Sequence, residues 1–169
     1  MGYADLHIHS DHSFDGTASV REVLAAAKSA GLDVIAITDH DQIAGSLQAV
    51  QLAPEYGLQA IAGIEITTAE GDLLAYNIRE KIAPHQSLVQ SILQVAEQGG
   101  FCVAAHPMSA GMGMNSVTHY GVIEALRNER AARTLIGIET INATAIDQPA
   151  NASAQKLALH TGLLAFGNS

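Results

Sequence analysis

With a single cysteine, Cys102, the chain can close no internal disulfide and cannot supply the several thiolates of a closed structural zinc site. Cys102 lies in the apolar run FCVAA and reads as a small buried hydrophobe rather than a nucleophile. Basic residues are scarce as well: 8 Lys and Arg against 17 Asp and Glu leave a net charge of -9. Without a Lys/Arg cluster, the electrostatic footprint of a duplex nucleic-acid binder is missing. A small anionic substrate stays open, provided bound cations reverse the local field. No apolar run approaches a membrane span, and the start MGYADL has neither a basic n-region nor an apolar h-region. Together these absences predict a protein of the reducing cytoplasm. Serine-nucleophile motifs, Gly-rich phosphate loops and dinucleotide fingerprints are also missing.

What is present is a regular alternation of strand and helix signals in 169 residues that are 48% hydrophobic, enough for one domain with a substantial core. Ser19 and Glu22 form a capping box, after which Val20, Val23, Leu24 and Ala27 mark one face of a helix closed by Gly31. DVIAIT (33 to 38) is the continuous apolar run of a strand covered on both faces. A helix over about 42 to 53 stops before Pro54; a strand over 58 to 67 follows, and a second over 72 to 78 returns after the turn at Glu70-Gly71. A helix from about 85 to 98, the strand FCVAA, a helix near 117 to 128, a strand over 134 to 141, a helix near 148 to 161 and a strand over 163 to 167 complete the series. Such alternation predicts right-handed crossovers and a parallel sheet, open or closed into a barrel. In MSAGMGMNSVTHYG, Gly111 and Gly113 make the best lid candidate.

The ionisable residues fall at the ends of these strands. In ADLHIHSDHSFDG, His7 and His9 are two residues apart and share a face of the first strand. The second strand ends in Asp39-His40, the third carries Glu65, FCVAA delivers His106 and the next strand Glu139. Parallel strands place their C-terminal ends on one rim, so these distant residues are expected to converge there. Imidazole with carboxylate suits zinc, manganese or iron. More than four such ligands suggest two or more ions; a pair roughly 3.5 to 4 Å apart can bridge a water, lower its pKa to about 7 and clamp phosphoryl oxygens.

Asp5-Leu6-His7-Ile8-His9-Ser10, Phe14-Asp15-Gly16-Thr17, Ile37-Thr38-Asp39-His40-Asp41, Gly63-Ile64-Glu65 and Ala105-His106-Pro107, in this order along the chain, resemble the PHP (polymerase and histidinol phosphatase) family of metal-dependent phosphoesterases. The resemblance implies a distorted (β/α)7-type barrel, with two or three divalent ions (Zn, Mn or Fe) at the strand ends. It implies His7, His9 and Glu65 as ligands of a first metal, and Asp15 and His40 of a second, with Glu65 bridging. His106 falls on a further ligand or a phosphate-facing catalytic group, and Glu139 near another metal position. Asp39 is expected to orient a histidine behind the metals and serve catalysis that way.

Two departures accompany the resemblance. No basic residue follows His106-Pro107, so Arg79 or His119 would have to hold the substrate phosphate. The family commonly continues past a last strand with Asp-x-His, whereas this chain stops at Phe166-Gly167-Asn168-Ser169. Residues 1–169 are thus expected to form a single PHP-like domain cut short at its C-terminus. The implied function is hydrolysis of a small phosphomonoester, a nucleotide or sugar phosphate, by a metal-bridging hydroxide. The alternatives are an amidohydrolase-like C-N or C-O hydrolase and a degenerate, non-catalytic PHP module. The sequence leaves the oligomeric state open.

Overall fold

The computed structural model describes residues 2–109, 115–143 and 148–168. Gly111 and Gly113, on which the lid expectation rests, lie outside them. Two sheets carry the fold. The first joins β1 (Ala4–Ile8), β2 (Val34–Ile37) and β3 (Gln59–Ala60) in parallel. The second runs in the order β4 (Gly63–Thr68), β5 (Gly71–Tyr76), β6 (Phe101–Ala104), β7 (Leu135–Asn142) and β8 (Leu164–Asn168). Its β6, β7 and β8 are parallel, but β5 pairs antiparallel with both β4 and β6. The architecture is mixed α/β rather than all-parallel, because the short turn after Thr68 can only fold the chain back on itself. The expected strand over 58 to 67 is divided: β3 extends the first sheet, and after Ile61 the chain crosses into the second.

Helices cover the outer faces: α1 (Val20–Ser29) and α2 (Ala44–Leu52) on the first sheet, α3 (Leu88–Glu97), α4 (His119–Leu126), α5 (Glu129–Thr134) and α6 (Gln148–Thr161) on the second. The capping box at Ser19 and Glu22 starts α1, and an equivalent one at Ser87 and Gln90 starts α3; each cap is worth ~1 kcal/mol. The helix-facing core of the second sheet takes Ile64, Ile66, Leu73, Ala75 and Cys102. Alternate residues turn the other way, so Leu74, Tyr76, Val103 and Ala105 meet Ala36 and Leu6 in an inner core. Glu65, between Ile64 and Ile66, must therefore point inward. The two sheets touch at a parallel bridge between His40 and Glu65, and the Leu6 backbone N–H donates to Asn168 Oδ1 at 3.0 Å. Among the described residues no helix is long and apolar enough to cross a membrane.

Candidate metal centre

Four histidines from three strand ends surround Glu65, whose carboxylate is fully buried. Each presents its Nε2: His7 stands 3.0 Å and His9 2.8 Å from Glu65 Oε2, His106 3.1 Å from Oε1, and His40 3.6 Å from Oε2. Two groups of donors share that carboxylate, one made by His7, Glu65 and His106, the other by His9, His40 and Glu65. His7 and His9, which the family resemblance sets on one ion, approach the same oxygen, Oε2. Neighbours on one strand face, their rings lie 5.3 Å apart, with His7 also stacked on His106 at 5.6 Å and His9 edge-on to His40 at 4.8 Å.

The opposite ring nitrogens are held from behind. His7 Nδ1 meets Glu139 Oε1 at 3.0 Å, His9 Nδ1 meets Asp15 Oδ2 at 2.8 Å, and His106 Nδ1 meets Ser116 Oγ at 3.2 Å. Such contacts fix the tautomer that leaves Nε2 as a lone-pair donor. His106 itself has φ +25°, a backbone state that side chains disfavour, and its N–H donates to Glu139 Oε2 at 2.7 Å.

Burial and the mutual contacts of these groups set the electrostatics of the cluster. Burial opposes charge on Glu65, yet His7 and its neighbouring imidazoles hold its carboxyl well below the usual carboxylate range. Burial likewise disfavours protonated His7, and Glu65 followed by Glu139 more than offsets it, so His7 is raised well above an ordinary imidazole. His9 is raised by Glu65 against the same burial penalty. Protons on these nitrogens occupy places that a cation would take. The donor set fits one: imidazole nitrogens gathered with a carboxylate, and no thiolate, suit zinc, manganese or iron. His40 Nε2 is 3.6 Å from both Asp15 Oδ2 and Glu65 Oε2, beyond hydrogen-bonding reach, and its buried Nδ1 finds no partner among the described residues.

Not every expected residue joins this cluster. Glu139 sits behind it, its oxygens taken by His7, the His106 N–H, Asn142 Nδ2 at 3.0 Å and Asn168 Nδ2 at 2.9 Å. Asp39 is fully buried, and among the described residues its carboxylate bonds to no histidine. It accepts from the Ser10 N–H at 2.6 Å and Ser10 Oγ at 2.8 Å, and so anchors the loop after β1. Arg79 is displaced altogether: antiparallel β5 carries it away from the rim, where its N–H meets Gln98 Oε1 beyond the end of α3. His119 lies against His160 of α6, 6.4 Å between ring centres, rather than against the cluster.

Asp72 escaped the sequence reading. It opens β5 opposite Thr67, on the inward face two positions before Leu74, the register partner of Glu65. Burial and then the Glu65 charge push its pKa up to about 6, while Asn115 Nδ2 donates to it at 3.1 Å. The turn at Glu70-Gly71 and the alternation of the hairpin hold the signal that places it at the rim.

Comparison with known proteins supplies the family and the fold. The uncharacterized protein MJ1587 of Methanocaldococcus jannaschii is 33% identical over 150 residues, 83% of this chain and 81% of that one. A Bifidobacterium adolescentis protein regarded as a metal-dependent phosphoesterase shares the fold at TM-score 0.80 and 19% identity, over 99% of this chain and 87% of its own. So does an amidohydrolase of Chromobacterium violaceum with bound sulfate, at TM-score 0.77 and 19% identity over the same shares. The PHP domain family matches residues 5–161, from the strand bearing His7 through α6, and the chain belongs to that family.

Proposed function

We propose that the protein is a metal-dependent phosphatase acting on a small phosphomonoester, a nucleotide or sugar phosphate. The observation that carries this reading is the convergence of four histidine Nε2 atoms on the single buried carboxylate of Glu65. His7, Glu65 and His106 would hold one divalent ion and His9, His40 and Glu65 a second, of zinc, manganese or iron. When bound, such ions supply Lewis acidity to phosphoryl oxygens and activate water near neutral pH. The protein's share is to aim the imidazoles through Glu139, Asp15 and Ser116, to keep the donors dry, and to present Asp72 at the rim as a carried proton for the departing alkoxide. The two sheets are arcs of one distorted barrel, joined at the His40–Glu65 bridge and approached from the other side by Asn168.

Purified protein reloaded with manganese or zinc should release phosphate from a panel of phosphomonoesters and lose that activity in chelator. Glu65→Gln should reduce turnover at least 1000-fold, roughly the loss of one ion's stabilisation of the reaction, while leaving the circular dichroism spectrum native. Unchanged turnover in this variant refutes the assignment. The amidohydrolase likeness favours one rival, a C-N or C-O hydrolase built on the same donors. Turnover of amides or lactones without phosphate release would select it.

A further inference from the structure

The geometry points to Phe14 as a stacking platform that selects substrates carrying a nucleobase. This rests on the phosphatase reading above and narrows it from phosphomonoesters in general to nucleotides. Phe14 is 88% exposed, although it sits one residue from Asp15 at the mouth of the histidine cluster. One face of its ring is stacked on His40, with centres 5.0 Å apart and planes at 22°. At that exposure the other face is open to solvent among the described residues. The four rings Phe14, His40, His9 and His7 form a succession of contacts at 5.0, 4.8 and 5.3 Å that starts in solvent and ends among the buried donors.

The display is built rather than incidental. Ser13 is buried and its Oγ both donates to Asp15 Oδ1 at 2.5 Å and accepts from the His40 N–H at 3.2 Å. The Ser13 N–H donates to Ser10 O at 3.0 Å and the Asp11 N–H to Ala18 O at 2.8 Å. Gly16 closes the loop so tightly that a Cβ there would lie 2.0 Å from Ser10 O. The backbone on both sides of Phe14 is therefore pinned, and its ring is held out of the core by construction. An aromatic side chain so placed can stack on a flat π-system with little ordering cost. Sugars are recognised through hydroxyl partners beside an aromatic face, but Ser13 and Asp15 are committed to each other, to His40 and to His9. What the two residues flanking Phe14 leave is a π-face without polar edges of their own to spare. That suits the face of a base, with a phosphate one ribose away toward Glu65, and it discriminates poorly among bases.

The test compares kcat/KM for the better of adenosine 3′- and 5′-monophosphate with that for ribose 5-phosphate, taken as a ratio in each protein. Phe14→Leu should lower the ratio roughly tenfold or more, and Phe14→Trp should retain it. Because Leu keeps apolar bulk, damage to Asp15 or His40 affects both substrates and cancels. Binding of 2-aminopurine riboside 5′-monophosphate gives a second readout: its fluorescence should be quenched by the wild type and by Phe14→Trp, and not by Phe14→Leu. An unchanged ratio in Phe14→Leu, a wild-type preference for ribose 5-phosphate, or no quenching by the wild type overturns the assignment. A wild type that cleaves neither ester while still quenching through Phe14 defeats the phosphatase reading and leaves the platform standing.

Discussion

Replacing Glu139 by Gln tests whether the carboxylate behind His7 governs metal affinity without binding metal. The carboxylate has four donors on two oxygens: His7 Nδ1 and Asn168 Nδ2 on Oε1, the His106 N–H and Asn142 Nδ2 on Oε2. A glutamine of the same shape keeps one acceptor oxygen and turns an NH2 toward the other pair. If the amide faces His7 and Asn168, neither can comply freely. Asn168 cannot flip its amide without abandoning the Leu6 N–H on its Oδ1. His7 can accept at Nδ1 only by moving its proton to Nε2, which removes the lone pair aimed at the ion. Hydrogen bonds to a charged group are worth about 1.5–3 kcal/mol each, so losing two costs about 3 kcal/mol or more. For a chain of this size that lowers Tm by roughly 6 to 12 °C. Removing an orienting partner typically weakens a metal site about 10- to 100-fold. Competition with a chromophoric zinc chelator reads the affinity, and calorimetry of the metal-free protein reads Tm. A variant with wild-type affinity and Tm refutes the orienting role, whereas abolished metal binding makes Glu139 a direct ligand.

Two further outcomes follow from the same geometry. His106→Ala should remove one of two bound metal equivalents and His40→Ala the other, while Glu65→Ala should drain both; elemental analysis after dialysis decides, and a full complement in Glu65→Ala contradicts the sharing. For Asp72, whose folded pKa of about 6 exceeds its free value of 3.8, burial of the ionised form weakens the fold, and the penalty grows as pH rises from the free value through the folded one. Asp72→Asn should therefore raise the stability of chelated protein at pH 8 by up to about 3 kcal/mol, with the gain vanishing below about pH 4. A gain that is constant from pH 4 to 8 excludes this cause.

The rim was legible wherever a residue ends or crosses a parallel strand. His9, His40 and His106 follow from reading a hydrophobic run just past its end, because strand direction fixes where that end lies, and His7 and Glu65 from the alternation within β1 and β4. Arg79 failed for the converse reason: hydrophobicity has no sign along the chain, so the run 72 to 78 looks alike whichever way it points. Only the brevity of the turn before it tells that β5 is reversed. Asp39 and Glu139 were visible as residues but not as roles. Which hydrogen atom a buried carboxylate accepts depends on loops such as the one after His9, where Ser10 claims Asp39. The split of the run 58 to 67 had a local cause too small for periodicity to register, since β3 pairs through only two residues before the chain changes sheet. For α5 the signal was present and unread: Asn128 accepts from the Arg130 and Ala131 N–H groups as an ordinary cap.

The reversal of β5 also bears on how such a protein can diverge. A strand entered from the rim lends that rim a hairpin tip, here 68 to 71, in place of a crossover segment tethered to a helix. Hairpin tips accept inserted residues at small entropic cost, since each doubling of loop length adds only about 0.6 kcal/mol. Lengthening this one would raise a wall beside the histidine cluster without shifting a single donor. Substrate size could thus be retuned independently of the chemistry.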